Sequence, residues 1–156
     1  MRTIVIFYSR TGNTRKIAHA IAEKLKCPSE EIFDTKDRRG IRGYLSAGRD
    51  ATLRKLTQIK PIAHDPANYD IIIIGTPIWA WTISTPIRTY LEQNKKAFKK
   101  IAFFCTMGGS GSERAFAEMK KICANKPLAT LALTAKEAIK NKFEEKIIKF
   151  ALSINY

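Results

Sequence analysis

Apolar residues along the chain fall into two patterns, continuous β-prone runs and stripes with helical spacing. Residues 3–8 (TIVIFY) and 69–75 (YDIIIIG) form the two clearest continuous runs. Such runs are typical of strands that are buried on both faces of a parallel sheet, and Gly75 is expected to mark the end of the second run. Between them, apolar positions from 17 to 25 recur at helical spacing and predict a helix that ends at Pro28.

The rest of the chain continues the alternation of strands and helices. A short second strand is predicted over residues 31–34, followed by an irregular crossover over 35–66 that carries one or two short helices. Pro86 is suited to the first turn of a helix that runs to about Asn94. Further strands are predicted over residues 100–105 and 128–133, and further helices over 112–124 and 135–152.

This alternation predicts the fold class. About five parallel strands with helices on both faces form a doubly wound, three-layer α/β domain. Neither a linker nor a repeat divides the sequence, so residues 1–156 are expected to form a single domain. Ligands of such sheets bind beyond the carboxyl ends of the strands, where the strand order reverses. Binding chemistry is therefore expected in the loops that follow the strands.

Length and cysteine content further narrow the classes of protein to which the chain can belong. A chain of 156 residues can bury a sizeable core as one compact domain. The apolar runs are far shorter than the roughly 20 residues that cross a bilayer, and the first lacks a cleavage-site pattern, so we expect a soluble, cytoplasmic protein without a membrane span. Three cysteines without a C-x-x-C pair and two isolated histidines argue against a disulfide framework and against a metal site.

The charge is strongly positive and unevenly distributed. The chain has 28 Lys and Arg against 14 Asp and Glu, a net charge of +14. Residues 36–60 alone hold eight basic and two acidic side chains. Aromatic residues are not interleaved among these charges as they are on single-strand binding platforms, which argues against nucleic acid as a partner. A solvated basic surface and a docking surface for an acidic partner both remain open.

Residues 9–14 (SRTGNT), between the first strand and its helix, have an unusual loop composition. They offer hydroxyl groups, an amide, a glycine and the unpaired N–H groups of a helix start, which together form a cradle for an anion such as phosphate. The alternative is that Thr11 or Asn13 serves only as a helix cap. This loop has neither the G-x-x-x-x-G-K-S/T pattern nor the G-x-G-x-x-G pattern, which argues against nucleoside triphosphates and Rossmann-type dinucleotides.

Two further loops follow the third and fourth strands. Residues 75–82 (GTPIWAWT) place Trp79 and Trp81 just beyond a buried strand, where a large aromatic side chain projects toward a ligand and can stack on a flat ring. Core packing is the alternative for both indoles, and it is favoured more for Trp81. Residues 106–111 (TMGGSG) hold three glycines, which let backbone amides approach the edge of a ligand closely.

These three loops, in this order, resemble those of the flavodoxin-like family. Residues 9–14 match the family's phosphate motif S/T-x-T-G-x-T, and residues 75–79 match the flavin-flanking loop with Trp79 at the stacking position. Residues 106–111 match the second flavin-edge loop, and the likeness extends through essentially the whole chain. The resemblance implies a flavodoxin-like doubly wound fold that binds FMN non-covalently.

The resemblance also assigns residues to parts of the cofactor. The phosphate is expected to be held by Ser9, Arg10, Thr11, Gly12, Asn13 and Thr14. One side of the isoalloxazine ring is expected to be flanked by Pro77, Ile78, Trp79 and Ala80, and its other edge by Thr106, Met107, Gly108, Gly109 and Gly111. The ring performs the redox chemistry itself. No carboxylate or histidine falls inside the three loops, so no catalytic side chain is predicted.

The leading functional hypothesis is an FMN-binding redox protein that transfers electrons to or from a protein partner. The basic composition makes an acidic redox protein the expected partner, because complementary charge steers association. Residues 36–60 are the expected docking face, with Arg38, Arg39 and Arg42 as contact residues.

Two departures from typical electron carriers of the family keep an alternative open. The chain is basic where those carriers are acidic, and its third loop has Met107 where they often have a tyrosine. A more open ring face leaves room for a small-molecule electron acceptor, so the alternative is an NAD(P)H-dependent quinone or related reductase. A flavin-free binding module is the weaker alternative. A phosphoacceptor receiver would need acidic residues after the first strand, and residues 7–9 have none.

Overall fold

Strands and helices alternate along the chain in the computed structural model, which describes residues 1–155. The strands are β1 (Thr3–Phe7), β2 (Ser29–Glu31), β3 (Ile71–Trp79), β4 (Thr82–Ile83), β5 (Lys100–Met107) and β6 (Thr130–Thr134). The helices are α1 (Asn13–Leu25), α2 (Gly40–Thr52), α3 (Thr85–Asn94), α4 (Ser112–Cys123), α5 (Ala135–Ile139) and α6 (Glu144–Ile154).

Five of the strands form a parallel sheet in the order β2-β1-β3-β5-β6, and β4 pairs antiparallel with the end of β3. The chain leaves β1 on one side to form β2 and crosses to the other side to form β3, so the strand order reverses beside β1. The predicted doubly wound α/β fold is confirmed. The reversal places the ends of β1 and β3 at the edge where such sheets bind ligands.

Two hydrophobic cores cover the two faces of the sheet. Alternate residues of β3 face opposite sides. Ile72 and Ile74 join the core beneath α2, α3 and α4, whereas Ile71 and Ile73 join the core beneath α1, α5 and α6. All four side chains are almost completely buried. This double burial explains why the strand has a continuous apolar sequence.

The sequence predicts that the third strand ends at Gly75, but the strand continues to Trp79. Its neighbour β5 pairs with it as far as Pro77, and β4 folds back on its last two residues. A Cβ atom on Gly75 would lie 2.0 Å from the Phe104 ring, so glycine is needed here for packing inside the sheet. The extension carries the following loop beyond the end of β1.

Three other segments also differ from the prediction. β2 occupies Ser29–Glu31 rather than residues 31–34, because Glu31 pairs with Phe7, where β1 ends. The predicted helix over 135–152 is divided into α5 and α6, since Asn141 adopts a left-handed φ of 55° between them. The crossover contains a helix, as predicted, but this helix, α2, has 13 residues and is longer than the one or two short helices expected.

Residues 1–155 hold neither a helix suited to a bilayer nor a cluster of metal-ligating side chains. None of their helices has both the length and the apolar composition that a bilayer crossing requires. Within the same residues, no group of three or more His, Cys, Asp and Glu side chains is arranged to hold a metal ion. The three cysteines, Cys27, Cys105 and Cys123, are free thiols.

A buried cluster of charges joins α2 to the segment after β2. Arg38 is only 3% exposed, and its guanidinium donates to the carboxylates of Asp34 and Asp50. The Lys36 ammonium also donates to Asp50, at 3.0 Å. The prediction that Arg38 contacts a docking partner is therefore wrong, because its side chain is paired inside the protein.

Acidification is expected to destabilise the fold through Asp50. Burial by itself would raise the pKa of Asp50, but hydrogen bonds from Lys36 and Arg38, together with their charges, lower the pKa to about 2. In the unfolded chain the pKa of an aspartate is roughly 3.9. A carboxyl with a lower pKa in the folded state stabilises the fold above the unfolded pKa, and that contribution is lost as pH falls through the folded pKa.

Denaturant unfolding at about pH 6 and about pH 2.5 checks this prediction. The wild-type chain should lose more unfolding free energy between the two pH values than Asp50→Asn, which has no carboxyl to protonate at this position. Asp37→Asn is the matched control, because the ion pair of Asp37 with Arg39 is exposed and such pairs contribute little. An equal pH dependence in the wild type and Asp50→Asn would contradict the prediction.

Candidate functional site

A cavity of about 710 Å³ opens at the carboxyl ends of β1, β3 and β5. Its size is within the roughly 300–1,000 Å³ typical of cofactor and small-molecule sites. All residues predicted for the cofactor line this cavity except Ser9, Gly12 and Gly111. Those that line it are Arg10, Thr11, Asn13, Thr14, Pro77, Ile78, Trp79, Ala80, Thr106, Met107, Gly108 and Gly109.

The loop after β1 leaves the first N–H groups of α1 without helical partners. Gly12 adopts a left-handed φ of 103°, and its N–H donates to the Ser9 hydroxyl at 3.0 Å, so Ser9 shapes the turn from inside. Among the described residues no side chain caps this helix, which contradicts the alternative that Thr11 or Asn13 is only a cap. The first turn also lacks an acidic residue. A positively polarised helix end of this kind fits a phosphate group.

The loop after β5 presents its backbone to the cavity. Residues 108–109 are both glycine, and an added Cβ on either would meet no atom within 4 Å, so a ligand edge can approach the backbone here. The hydroxyl of Thr106 shares a 2.7 Å hydrogen bond with the hydroxyl of Thr14, which ties this loop to the start of α1. Gly111, with a φ of 106°, packs against the loop after β3, where a Cβ would lie 3.1 Å from the Trp81 Cα atom.

The loop after β3 is a two-residue hairpin turn between β3 and β4. Trp79 pairs with Thr82, so Ala80 and Trp81 form the turn. Both have left-handed φ angles, 48° for Ala80 and 61° for Trp81. Such turns favour asparagine and glycine, and a larger residue in this conformation costs about 1–3 kcal/mol. The surrounding structure must therefore hold this turn in place.

The two tryptophans of this hairpin are in different environments. Trp79 is only 7% exposed, because its ring packs edge-on against Tyr8 at 5.4 Å and lies 5.3 Å from the Arg38 guanidinium. Trp81 is 63% exposed, and its indole N–H donates to the Ser110 hydroxyl at 3.2 Å. The expectation that core packing applies more to Trp81 than to Trp79 is therefore wrong. Both side chains line the cavity, and Trp81 is the more exposed of the two.

Helix α2 forms a wall of the cavity that the sequence analysis did not predict. Tyr44 and Leu45 are each 64% exposed, and the Arg10 guanidinium lies 5.4 Å from the Tyr44 ring. The helical spacing of the lining positions on α2 is a signal for this wall, but the prediction of one or two short helices in the crossover does not place them at the cavity. The lining residues not predicted for the cofactor are Tyr44, Leu45, Ala47, Gly48, Arg49, Trp81, Ser110 and Ala135.

The charge that lines the cavity is entirely positive. Arg10 and Arg49 are the charged side chains in the described lining, which includes no carboxylate or histidine. Cys105, just before the third loop, is fully buried, and burial raises its pKa to about 12, so its thiol is neutral. The arrangement can hold an anion and a flat ring.

Sequence similarity to known proteins extends over nearly the whole chain. A family model for flavodoxin matches residues 2–149. The chain belongs to the flavodoxin family. The resemblance inferred from the three loops is thereby confirmed.

Two of the curated proteins to which this chain is similar are named NAD(P)H dehydrogenase (quinone). The protein from Cupriavidus metallidurans is 32% identical over 94 residues, which are 59% of this chain and 46% of that protein. The protein from Afipia carboxidovorans is 30% identical over 112 residues, which are 70% of this chain and 54% of that protein. The flavodoxin chain thus spans about half the length of these relatives.

Solved flavoproteins share the fold of this flavodoxin. A flavoprotein from Lactobacillus acidophilus NCFM, in complex with FMN, is 25% identical, with a TM-score of 0.72 over 89% of this chain and 97% of that chain. Two-electron reduced Megasphaera elsdenii flavodoxin is 17% identical, with a TM-score of 0.62 over 97% of this chain and 98% of that chain. The second likeness concerns the fold alone.

Proposed function

We propose that this flavodoxin binds FMN non-covalently and exchanges electrons with a protein partner. The observation that carries the proposal is the uncapped start of α1, which opens into the same cavity as a glycine-rich loop and an indole-bearing hairpin. The helix start suits the terminal phosphate of FMN, and the loop and the hairpin suit its flat ring. Family membership and the FMN complex of the Lactobacillus acidophilus flavoprotein support the choice of cofactor.

The residues that line the cavity have distinct roles in this proposal. The N–H groups at the start of α1 and the side chains of Thr11, Asn13 and Thr14 hold the phosphate, while the hairpin and residues 106–109 flank the ring. When bound, FMN supplies one- and two-electron transfer. Arg10 favours negative charge in the cavity, and so, more weakly, does Arg49, which is paired with Asp50 at 3.3 Å. Both make addition of electrons more favourable than at an acidic site.

The surface beside the cavity favours an acidic redox protein as the partner. Its basic and apolar residues, here called the α2 rim, are Arg39, Ile41, Arg42, Tyr44 and Leu45, all of them exposed. Apolar side chains exclude water from a contact, and arginines pair with carboxylates, so the α2 rim can guide an acidic partner to the cavity. The free thiols also fit the reducing cytoplasm, where we place the protein.

Reversal of charge on the α2 rim is expected to slow reduction of the FMN-loaded protein by an acidic carrier such as a ferredoxin. Complementary charge raises association rates by roughly 10–10³-fold at low salt, so Arg39→Glu/Arg42→Glu should lower the second-order rate constant by at least about tenfold. The variant should also flatten the decline of the rate constant with salt. Stopped-flow reduction from low to high ionic strength measures both effects.

Lys120→Glu/Lys121→Glu is the matched control for this experiment. It changes the net charge equally, but on the last turn of α4, at the amino ends of the strands and away from the cavity. The control should keep most of the rate and of its salt dependence. Equal slowing by the two variants would indicate an effect of net charge alone and would contradict docking at the α2 rim.

A second candidate function is an NAD(P)H-dependent reductase of quinones or related small molecules. The two curated relatives described above are named for that activity, and α2 gives the cavity an apolar wall beyond the predicted cofactor loops. Fast NAD(P)H-driven turnover of a quinone, together with a carrier reaction insensitive to salt and to Arg39→Glu/Arg42→Glu, would support the reductase instead of the carrier. A colourless protein that does not take up added FMN would support the flavin-free module.

A further inference from the structure

A second ion pair, buried at its arginine and partly buried at its glutamate, lies beneath the hairpin. Arg88 on α3 is only 5% exposed, and its guanidinium contacts the Glu118 carboxylate of α4 at 2.9 Å. Glu118 also accepts a hydrogen bond from the Thr82 hydroxyl and pairs with the exposed Arg54 at 3.3 Å. Burial by itself would raise the pKa of Glu118, but these three partners hold the pKa below its ordinary value, so the carboxylate is charged.

Stability alone does not explain a buried pair of this kind. Replacing a buried ion pair by apolar side chains is often neutral or stabilising, because desolvation of the two charges offsets their attraction. Arg88 and Glu118 are also outside the described lining of the cavity, so they do not contact its contents. Their link to the site is Thr82, which directly follows the turn and pairs with Trp79 across the hairpin.

We propose that the Arg88–Glu118 pair fixes the hairpin turn and thereby positions Trp81 against the flavin ring, an inference that rests on the proposed binding of FMN. The Thr82 hydroxyl donates to Glu118 and accepts from the Arg88 guanidinium at 3.5 Å, so both charges hold the residue that ends the turn. On the other side, the Trp81 indole donates to Ser110. Trp81 is therefore held at two points. The bonds of the adjacent Thr82 hold its backbone, and Ser110 in the loop after β5 holds its ring. Arg88 and Glu118 are positioning residues.

Fluorine NMR of the apoprotein tests this support without any cofactor. The chain has two tryptophans, so labelling with 5-fluorotryptophan gives one resonance for each, assigned with Trp81→Phe. In Thr82→Val, which removes the hydroxyl and keeps the shape, the Trp81 resonance should shift or broaden more than the Trp79 resonance does. Glu118→Gln should do the same. Thr85→Val is the matched control, because the Thr85 hydroxyl is buried nearby and has no hydrogen-bond partner among the described residues.

FMN titration of the same variants gives the second readout. Thr82→Val and Glu118→Gln should each lower FMN affinity by about tenfold, the size of effect expected from one charge-assisted hydrogen bond. The flavin that remains bound should be more fluorescent than in the wild type, because a displaced indole quenches it less. Thr85→Val should match the wild type in both respects.

The outcomes distinguish failure of this inference from failure of the proposed function. A wild-type protein that binds no FMN would overturn the proposed function and the flavin role of Trp81, whatever the resonances show. If FMN binds but the Trp81 resonance of Thr82→Val matches the wild type, the support by Arg88 and Glu118 is overturned. Equal displacement of both resonances, or the same change in Thr85→Val, would indicate general loosening and would also overturn it. If Glu118→Gln does not fold, Thr82→Val decides, since it leaves the ion pair intact.

Discussion

Apoprotein is expected to bind FMN more than about a hundredfold more tightly than riboflavin, which lacks the phosphate. The start of α1 offers backbone N–H groups without a side-chain cap among the described residues, and a hydrogen bond to a charged group contributes roughly 1.5–3 kcal/mol. About two such bonds already exceed a hundredfold, because 1.4 kcal/mol corresponds to tenfold in affinity. Titration with both flavins, followed by flavin fluorescence, measures the ratio. FAD should bind less tightly than FMN, because the cradle suits a terminal phosphate.

Variants on the two sides of the cavity make the test of the phosphate cradle specific. Thr11→Ala and Asn13→Ala should reduce the ratio of FMN to riboflavin affinity and leave riboflavin affinity nearly unchanged. Met107→Leu is the control, because Met107 belongs to the predicted ring-flanking loop and its replacement should affect both flavins equally. If riboflavin bound as tightly as FMN, the assignment of a phosphate cradle to the residues after β1 would be wrong.

The central strands could be predicted from the sequence because they are buried on both faces. Ile71 to Ile74 alternate between two cores, as residues 4–7 of β1 do, so every position in these runs must be apolar. The positions of the three loops follow from the strands, since the ends of parallel strands lie at one edge of the sheet. This is why most of the predicted cofactor residues come together around one cavity.

The misinterpreted residues are those whose environment depends on tertiary contacts between side chains of different elements. Gly75 was expected to end a strand, but its role is set by Phe104 on the neighbouring strand. Arg38 was expected on the surface, but it is buried by its pairing with Asp34 and Asp50. A local sequence pattern carries no information about such partners, whereas the periodicity of a buried strand is itself local.

The hairpin shows the same limit at the site itself. The sequence places two tryptophans in one loop, but it does not show that a two-residue turn separates their environments. Trp79 falls on β3 and packs against Tyr8, whereas Trp81 falls on the turn and reaches Ser110. The turn is not recognisable from its residues, because Ala80 and Trp81 are unusual in left-handed conformations.

Substitution of these two tryptophans is expected to separate stability from cofactor binding. Trp79 is buried between Tyr8 and Arg38, so Trp79→Ala should lower the free energy of unfolding by about 3–5 kcal/mol. Trp81 is largely exposed, so Trp81→Ala should change it by no more than about 0.5 kcal/mol. Denaturant unfolding of the apoprotein measures both values.

The order of the two effects should reverse for the flavin. Trp81 has a free face at the cavity, so Trp81→Ala should weaken FMN binding by about 1–3 kcal/mol, by analogy with the stacking of bases on aromatic side chains, and should relieve quenching of the bound flavin. Trp79→Phe is the control, because it keeps an aromatic ring beside Tyr8 and should retain FMN affinity. The stacking role that the family resemblance implies for Trp79 makes the opposite prediction. Loss of FMN binding in Trp79→Phe, with binding retained in Trp81→Ala, would indicate that Trp79 and not Trp81 stacks on the flavin ring.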